Sequence, residues 1–107
     1  MKDSEYSQRV SDTLLAIEEA IDASGQDIDY ESAAGMLSLT IETNGSQIII
    51  NRQAPVQQLW MATRRSGLHF DWSDEADGWV LDTDGQTGFV ELLNQALVDQ
   101  GAEALEL

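Results

Sequence analysis

The order of the hydrophobic patterns along the chain limits the fold to one arrangement of helices and strands. An amphipathic helical pattern covers residues 4–22, and a second one covers residues 88–100. Five or six short alternating segments lie between them, with no helical pattern among them. Parallel strands need long crossover connections, usually helices, so this order predicts a mainly antiparallel sheet. We therefore expect an α+β fold, a two-layer α-β sandwich with two helices on one face of a five- to six-stranded sheet.

Apolar residues at three- and four-residue steps predict the two helices. The first stripe consists of Tyr6, Val10, Thr13, Leu14, Ile17 and Ile21, and the second of Phe89, Leu92, Leu93, Ala96 and Leu97. Asp3 or Ser4 is expected to cap the first helix, and Ser24-Gly25 to end it. Thr87 is expected to cap the second helix, and Gly101 to end it before a tail at 102–107.

The alternation of apolar and polar residues predicts strands at 27–32, 36–42, 47–52, 56–63, 67–72 and 78–82. Asn44-Gly45 lies between the second and third of these and predicts a hairpin with a two-residue turn. That turn would pair Ile41 with Ile48, Leu39 with Ile50, Thr40 with Ile49, and Ser38 with Asn51. The first two pairs are more apolar than the other two, so they should face the core.

Composition excludes several classes of protein. The net charge of −15 argues against a nucleic-acid surface or an anionic membrane surface, because both need clustered Lys and Arg. The chain has no cysteine and a single histidine, His69, which excludes disulfides and thiolate or His-rich metal sites. The N-terminal residues are acidic and polar, unlike a targeting signal, so we expect a cytoplasmic protein with one domain over 1–107.

The first 31 residues contain a cluster of carboxylates that repel one another. Nine acids lie there against two bases: Asp3, Glu5, Asp12, Glu18, Glu19, Asp22, Asp27, Asp29 and Glu31. Two unit charges about 7 Å apart in water repel by roughly 0.6 kcal/mol. A solvated helix face usually mixes charges of both signs, whereas no base falls between Arg9 and Arg52 here. The pattern favours a surface that binds hard metal cations weakly or docks on a basic protein patch.

A second candidate surface lies on the sheet face that the helices leave open. If Leu59 and Met61 point into the core, Trp60 points outward. Gln58 and Asn51 share that face, with Gln53 near the strand end and Arg64 and Arg65 nearby. An exposed Trp among amides is typical of a protein contact, unless a neighbouring loop covers it or the strand phase is shifted by one. We expect a structural role for His69, and a turn rather than a calcium loop at Asp82–Gly85.

Several segments resemble the frataxin family in its bacterial form. They are Asp3-Ser4-Glu5, Ile17-Glu18-Glu19, Asp22, Ile48-Ile49-Ile50-Asn51-Arg52-Gln53, Pro55, Gln58, Trp60-Met61-Ala62-Thr63, Gly67, His69-Phe70-Asp71, Asp84-Gly85 and Glu91-Leu92-Leu93. The resemblance covers nearly the whole chain, and the Asn-Arg-Gln, Pro and Gln-x-Trp segment is its most specific part.

This resemblance implies an iron-binding protein of iron–sulfur cluster assembly that regulates a cysteine desulfurase and its scaffold protein and can donate iron to them. The family's metal-binding positions correspond here to Asp3, Glu18, Glu19, Asp22, Asp27, Asp29 and Glu31. They would form weak surface sites for Fe²⁺ or Fe³⁺, which other divalent cations can also occupy. The contacts with the protein partners would use Glu18, Glu19, Asp22, Asn51, Gln53, Gln58 and Trp60. The resemblance also implies a monomer that can form oligomers when iron is present. Its main role would not be enzymatic.

Two other functions remain open from the sequence. A ferroxidase or iron-storage protein would use the same carboxylates, although buried redox iron sites usually include a Glu-x-x-His motif, which this chain lacks. An acidic protein that mimics DNA would need neither iron nor an exposed Trp60.

Overall fold

The computed structural model describes residues 1–107, which form a helix, a six-stranded antiparallel sheet and a second helix in chain order. The elements are α1 (Asp3–Ser24), β1 (Ile28–Ala33), β2 (Met36–Ile41), β3 (Ser46–Gln53), β4 (Gln58–Ala62), β5 (Gly67–Ser73), β6 (Gly78–Leu81) and α2 (Phe89–Asp99). Each strand pairs with the next one in sequence, so β1 and β6 form the two edges. The predicted α+β sandwich is confirmed.

Both helices pack on the same face of the sheet, where they enclose a single hydrophobic core. The apolar stripe of α1 is buried at Tyr6, Val10, Leu14, Ile17 and Ile21, and that of α2 at Phe89, Leu93 and Leu97. The sheet contributes the buried residues Leu37, Leu39, Ile48, Ile50, Leu59, Met61 and Phe70. The predicted helix stripes and inward-facing strand residues therefore form this core. The opposite sheet face has no helix over it.

The predicted register of the β2–β3 hairpin is wrong by two residues. Ile41 pairs with Ser46 and Leu39 pairs with Ile48, whereas a two-residue turn would pair Ile41 with Ile48. The connection has four residues, 42–45, and ends at Gly45, whose left-handed φ of 72° suits glycine. The Gly45 N–H donates to the Ile41 carbonyl at 2.8 Å, which closes this longer loop. A shift of two keeps every side chain on its predicted face.

The same shift changes the two outward-facing pairs of the hairpin. Thr40 pairs with Gln47 and Ser38 pairs with Ile49, in place of Thr40 with Ile49 and Ser38 with Asn51.

The predicted side-chain caps of the two helices are also wrong. Lys2 precedes α1 in an extended conformation, and no side chain caps the helix. The Asp3 carboxylate instead accepts a hydrogen bond from the Gln57 side-chain amide at 3.2 Å. Thr87 does not cap α2, because its hydroxyl donates to the Asp84 carboxylate. Gly25, at φ 69°, ends α1 as expected.

The C-terminal tail is anchored to the helix layer. Leu105 is buried in the core, and its backbone N–H and carbonyl both bond the Asn94 side-chain amide, at 2.8 and 3.1 Å. The Gln26 side chain bonds the Glu103 backbone in the same two-sided way. No helix in the structure is long and apolar enough to cross a membrane.

Candidate functional site

Six carboxylates lie along the second half of α1 and the adjacent edge strand β1, and we call this surface the acidic ridge. It consists of Glu18, Glu19, Asp22, Asp27, Asp29 and Glu31. On α1, buried Ile17 and Ile21 hold the helix against the sheet and leave the intervening acids outside. Asp22 lies four residues after Glu18 and three after Glu19, so both are its neighbours on the helix surface.

The strand part of the acidic ridge follows from the alternation along β1. Ile28 is buried and Tyr30 is half-buried on the helix side, while Asp29 and Glu31 are exposed. Successive side chains of a strand point to opposite faces, so the side chains of Asp29 and Glu31 lie on the sheet face away from the helices. Asp27 is exposed immediately before β1. The acidic ridge therefore continues around the sheet edge, from the helix layer to the open sheet face.

One contact ties the two parts of the acidic ridge together. The Tyr30 hydroxyl donates to the Asp22 carboxylate, at 2.9 Å from Oδ2 and 3.1 Å from Oδ1. This hydrogen bond raises the pKa of Tyr30, because an ionised phenol would lose the bond and face the Asp22 charge. Asp22 is thus held by its neighbour on β1.

No base neutralises the acidic ridge. The structure contains three arginine ion pairs, Arg9–Asp74 at 3.6 Å, Arg64–Asp99 at 3.8 Å and Arg65–Asp99 at 3.0 Å, and one contact between the His69 imidazole and the Asp82 carboxylate at 3.9 Å. All four lie outside the acidic ridge. Its charges are therefore left for cations that come from solution or from another protein.

Asp3, the remaining predicted metal ligand, is separated from the acidic ridge. It begins α1, fifteen residues before Glu18, and a helix rises about 1.5 Å per residue, which gives a distance of about 20 Å along the axis. The structure therefore does not bring Asp3 together with the other predicted ligands.

The ligand geometry within the acidic ridge is open. Nowhere in the structure do three His, Cys, Asp or Glu side chains converge closely enough to hold one metal ion. An ion on this surface would meet at most two protein carboxylates and complete its shell with water. Carboxylate oxygens suit hard cations, so the donor type fits iron, manganese, calcium or magnesium, at low affinity and selectivity.

The open sheet face brings together the four other predicted contact residues. Asn51 pairs with Trp60 across β3 and β4, and Gln53 pairs with Gln58. The Trp60 indole N–H donates to the Gln58 side-chain oxygen at 2.9 Å. The predicted strand phase is correct, because Leu59 and Met61 are buried and Trp60 points away from the core.

His69, which was not predicted to lie on this face, covers part of Trp60. The His69 imidazole stacks on the indole, with ring centroids 4.0 Å apart and planes 14° apart. Gln58 also donates to Asp71 at 3.1 Å. The alternation of His69 and Asp71 in β5 could have revealed them, once β5 was placed beside β4. Trp60 is half-buried rather than fully exposed, and its ring is held in one orientation.

We expected Arg64 and Arg65 near the open sheet face, but the structure places them elsewhere. Both guanidinium groups contact Asp99 at the end of α2, which directs them to the helix layer.

Comparisons with known proteins agree with this arrangement. The family model of the Frataxin-like domain matches residues 1–103. The iron-sulfur cluster assembly protein CyaY of Tolumonas auensis is 45% identical over 107 residues, which span 100% of this chain and 99% of that protein. The solved structure of frataxin from Psychromonas ingrahamii, described within the CyaY protein family, has a TM-score of 0.85 and 38% identity, covering 99% of this chain and 97% of that one. The chain therefore belongs to the frataxin family, as a bacterial frataxin of the CyaY type.

Proposed function

We propose that this chain is a non-enzymatic, iron-binding protein of iron–sulfur cluster assembly that regulates the cysteine desulfurase and its scaffold protein in the cytoplasm. The role in cluster assembly is the one named for its relative from Tolumonas auensis. The acidic ridge binds Fe²⁺ or Fe³⁺ weakly and also docks on a basic surface of the desulfurase. Delivery of iron to that complex is a separable second step of the proposal.

The unneutralised charge of the acidic ridge carries this proposal. Six carboxylates lie together on α1 and the β1 edge, and none has an ion-pair partner. Such clustering opposes folding, so its retention is explained if an external cation binds there. An open shell of carboxylates allows iron to exchange quickly, which suits a carrier or a sensor more than a storage site.

The open sheet face supplies the second contact of the proposal. Trp60 is held by His69 and Gln58, so little side-chain entropy is lost when a partner covers it. Amide groups at Asn51 and Gln53 surround the indole with hydrogen-bonding capacity. A rigid aromatic group with polar neighbours is typical of a binding hot spot, and we assign this face to the desulfurase–scaffold complex.

Charge reversal tests the role of the acidic ridge. The variant Glu18→Lys/Glu19→Lys/Asp22→Lys should lose both capture of the cysteine desulfurase in a pull-down and the NMR shifts that Fe²⁺ causes under anaerobic conditions. The control Glu75→Lys/Glu91→Lys/Glu106→Lys makes the same change in net charge at exposed acids outside the ridge. It should retain most of both activities.

Equal losses in the two triple variants would mean that net charge, not the acidic ridge, attracts the partners. Unchanged binding by the ridge variant would remove the ridge from the mechanism.

The alternative of a ferroxidase or iron-storage protein gains no support from the geometry. Oxidation of iron at a protein site usually needs buried, convergent ligands, and the ridge carboxylates lie on an open surface.

A further inference from the structure

A groove lies between α1, the β5–β6 turn and the beginning of α2. Its volume is about 470 Å³, which falls within the range of small-molecule sites, roughly 300–1,000 Å³. Its walls are mostly apolar, with the aromatic rings of Trp72, Trp79 and Phe89 on the sheet and α2 sides. It shares no residue with the acidic ridge or with the four contact residues of the open sheet face.

Two polar groups of the groove wall, the Trp79 indole and the Thr13 hydroxyl, are already hydrogen-bonded within the protein. The Trp79 indole N–H donates to the Thr13 hydroxyl at 3.0 Å, and that hydroxyl donates to the Arg9 carbonyl at 2.8 Å. The charged groups that line the groove are the carboxylates of Asp12 and Asp77, both exposed. No Lys, Arg or His lines it. A ligand therefore meets an apolar interior and a negative rim.

The aromatic wall also favours a positive charge. Trp72 and Trp79 meet edge to face, with centroids 5.5 Å apart. One face of the Trp72 ring is already occupied by the Arg9 guanidinium, whose central carbon lies 4.2 Å from the ring centroid, so only the remaining aromatic surface is available to a ligand. Indole rings attract cations through the negative potential of their faces, and carboxylates nearby add to this attraction. The indole faces and the carboxylates therefore both disfavour an anionic ligand.

We propose that this groove binds a small amphipathic organic cation. The apolar part of the ligand occupies the groove between Ile17, Trp79 and Phe89, and its ammonium group lies at the rim beside Asp12 and Asp77. Val90 and Leu107, which are 42% and 44% exposed at the groove, would be covered by such a ligand. The proposal is independent of iron binding and of cluster assembly.

Two glycines, Gly78 and Gly88, line the groove and leave open space beside their backbones. A Cβ atom built at Gly88 would meet no atom within 4 Å, and one at Gly78 would meet only the Ala76 carbonyl, at 3.9 Å. The groove is therefore not narrowed by side chains at these two positions.

Three probes with the same carbon skeleton test the charge preference. They are 4-phenylbutylamine, which is protonated at pH 7, the neutral 4-phenyl-1-butanol, and the anionic 4-phenylbutyrate. We expect the amine to bind with a dissociation constant on the order of 1 mM, as is usual for so small a ligand. The alcohol should bind about tenfold more weakly, and the acid should cause no saturable change.

NMR of ¹⁵N-labelled protein reports where each probe binds. The indole N–H signals of Trp79 and Trp72 should shift on titration with the amine, because both rings line the groove. The indole signal of Trp60 on the open sheet face serves as the internal control and should not move. Equal shifts of all three indoles, or equal affinity for the amine and the alcohol, would overturn the proposal.

Two matched pairs of variants locate the site. Asp12→Asn/Asp77→Asn should weaken amine binding about fivefold and leave alcohol binding unchanged, whereas Glu42→Gln/Glu103→Gln makes the same charge change at exposed acids outside the groove and the acidic ridge and should have little effect. Ala16→Trp fills the groove from an exposed helix position and should abolish binding of both probes. Ala23→Trp, also exposed on α1 but outside the groove, should not.

If Ala16→Trp does not fold, the Asp12→Asn/Asp77→Asn variant still tests the proposal. It leaves the core unchanged, and Asn tolerates the positive φ of 50° at position 77. Amine binding that survives Asp12→Asn/Asp77→Asn at full strength would contradict the assignment of the ammonium site.

Discussion

At the scale of single residues, Asp84 organises the connection between β6 and α2. Its Oδ1 accepts the backbone N–H groups of Gln86 at 2.8 Å and Thr87 at 2.9 Å, and its Oδ2 accepts the Thr87 hydroxyl. These donors favour the ionised carboxylate, so they hold the pKa of Asp84 below its usual range. The bond to Thr87 also explains why that residue is not free to cap α2.

We predict that Asp84→Asn lowers the melting temperature at pH 7, because the amide is a weaker acceptor than the carboxylate. A carboxyl group with a lowered pKa in the folded state stabilises the protein above its unfolded pKa of about 3.9. That stability is lost as the pH falls through the folded pKa. The melting temperatures of parent and variant should therefore converge below pH 4, as followed by circular dichroism.

Asp77→Asn is the control for this prediction, since the Asp77 carboxylate accepts no hydrogen bond. Removal of one negative charge from a chain of net charge −15 should leave its stability unchanged or slightly higher. A similar loss of stability in both variants at pH 7 would contradict the role given to the Asp84 hydrogen bonds.

At the scale of elements, alternation and helical periodicity were sufficient to predict which residues face the core. They were not sufficient for the β2–β3 register, because Asn44-Gly45 is equally compatible with a two-residue turn and with the last half of a four-residue loop. Asn44 is part of that longer loop and also donates to the Gln100 carbonyl at 2.7 Å. A contact between residues 56 positions apart leaves no local pattern in a sequence.

The acidic ridge and the open sheet face were predictable for the same reason as the core. Both depend on helix and strand faces, which follow from the spacing of apolar residues. The Tyr30–Asp22 bond and the stacking of His69 on Trp60 depend on pairing between elements, and only the structure reveals them. The separation of Asp3 from the ridge follows from the length of one helix and could have been predicted from the sequence.

Gln100 is the clearest element-level feature without a sequence signal. It is 2% exposed, at the end of α2, and joins three segments of the fold. Its amide nitrogen donates to the Ser46 hydroxyl at 2.6 Å and the Gln47 carbonyl at 3.1 Å, and its amide oxygen accepts the Arg64 N–H at 2.9 Å. One side chain thus ties α2 to β3 and to the β4–β5 turn.

We predict that Gln100→Leu destabilises the protein by about 2–4 kcal/mol, because it removes three hydrogen bonds of a buried side chain, each worth about 1 kcal/mol. Urea unfolding measures this as a lower midpoint with an unchanged slope. Gln95→Leu, at an exposed position of the same helix, should change the free energy of unfolding by less than about 0.5 kcal/mol. A loss for Gln100→Leu no larger than that of the control would show that water replaces the missing bonds.

At the scale of the whole molecule, charge is distributed unevenly around a neutral core. Three of the five bases, Arg9, Arg64 and Arg65, pair with acids outside the acidic ridge, at Asp74 and Asp99. The ridge therefore keeps its full repulsion, and the fold tolerates it because the core beneath it is continuous from α1 to the sheet. Binding and stability are consequently in conflict on this surface.

We predict that Glu18→Gln/Glu19→Gln raises the melting temperature by roughly 3 °C at low salt, because it removes several repulsions of about 0.6 kcal/mol or less each. Neither side chain makes a hydrogen bond or ion pair in the structure, whereas Asp22 accepts the Tyr30 hydroxyl and should be left unchanged. Added salt should reduce the gain, since it screens exposed charges. The same variant should bind Fe²⁺ more weakly.

The control Glu75→Gln/Glu106→Gln removes two exposed charges outside the ridge, so it should give a smaller gain in melting temperature and leave iron binding unchanged. Scanning calorimetry at two salt concentrations, with an iron titration of each variant, separates the two effects. If neutralisation of Glu18 and Glu19 lowers the melting temperature, the ridge acids must stabilise the fold. The requirement for an external cation would then disappear, because the cluster would have a structural reason to persist.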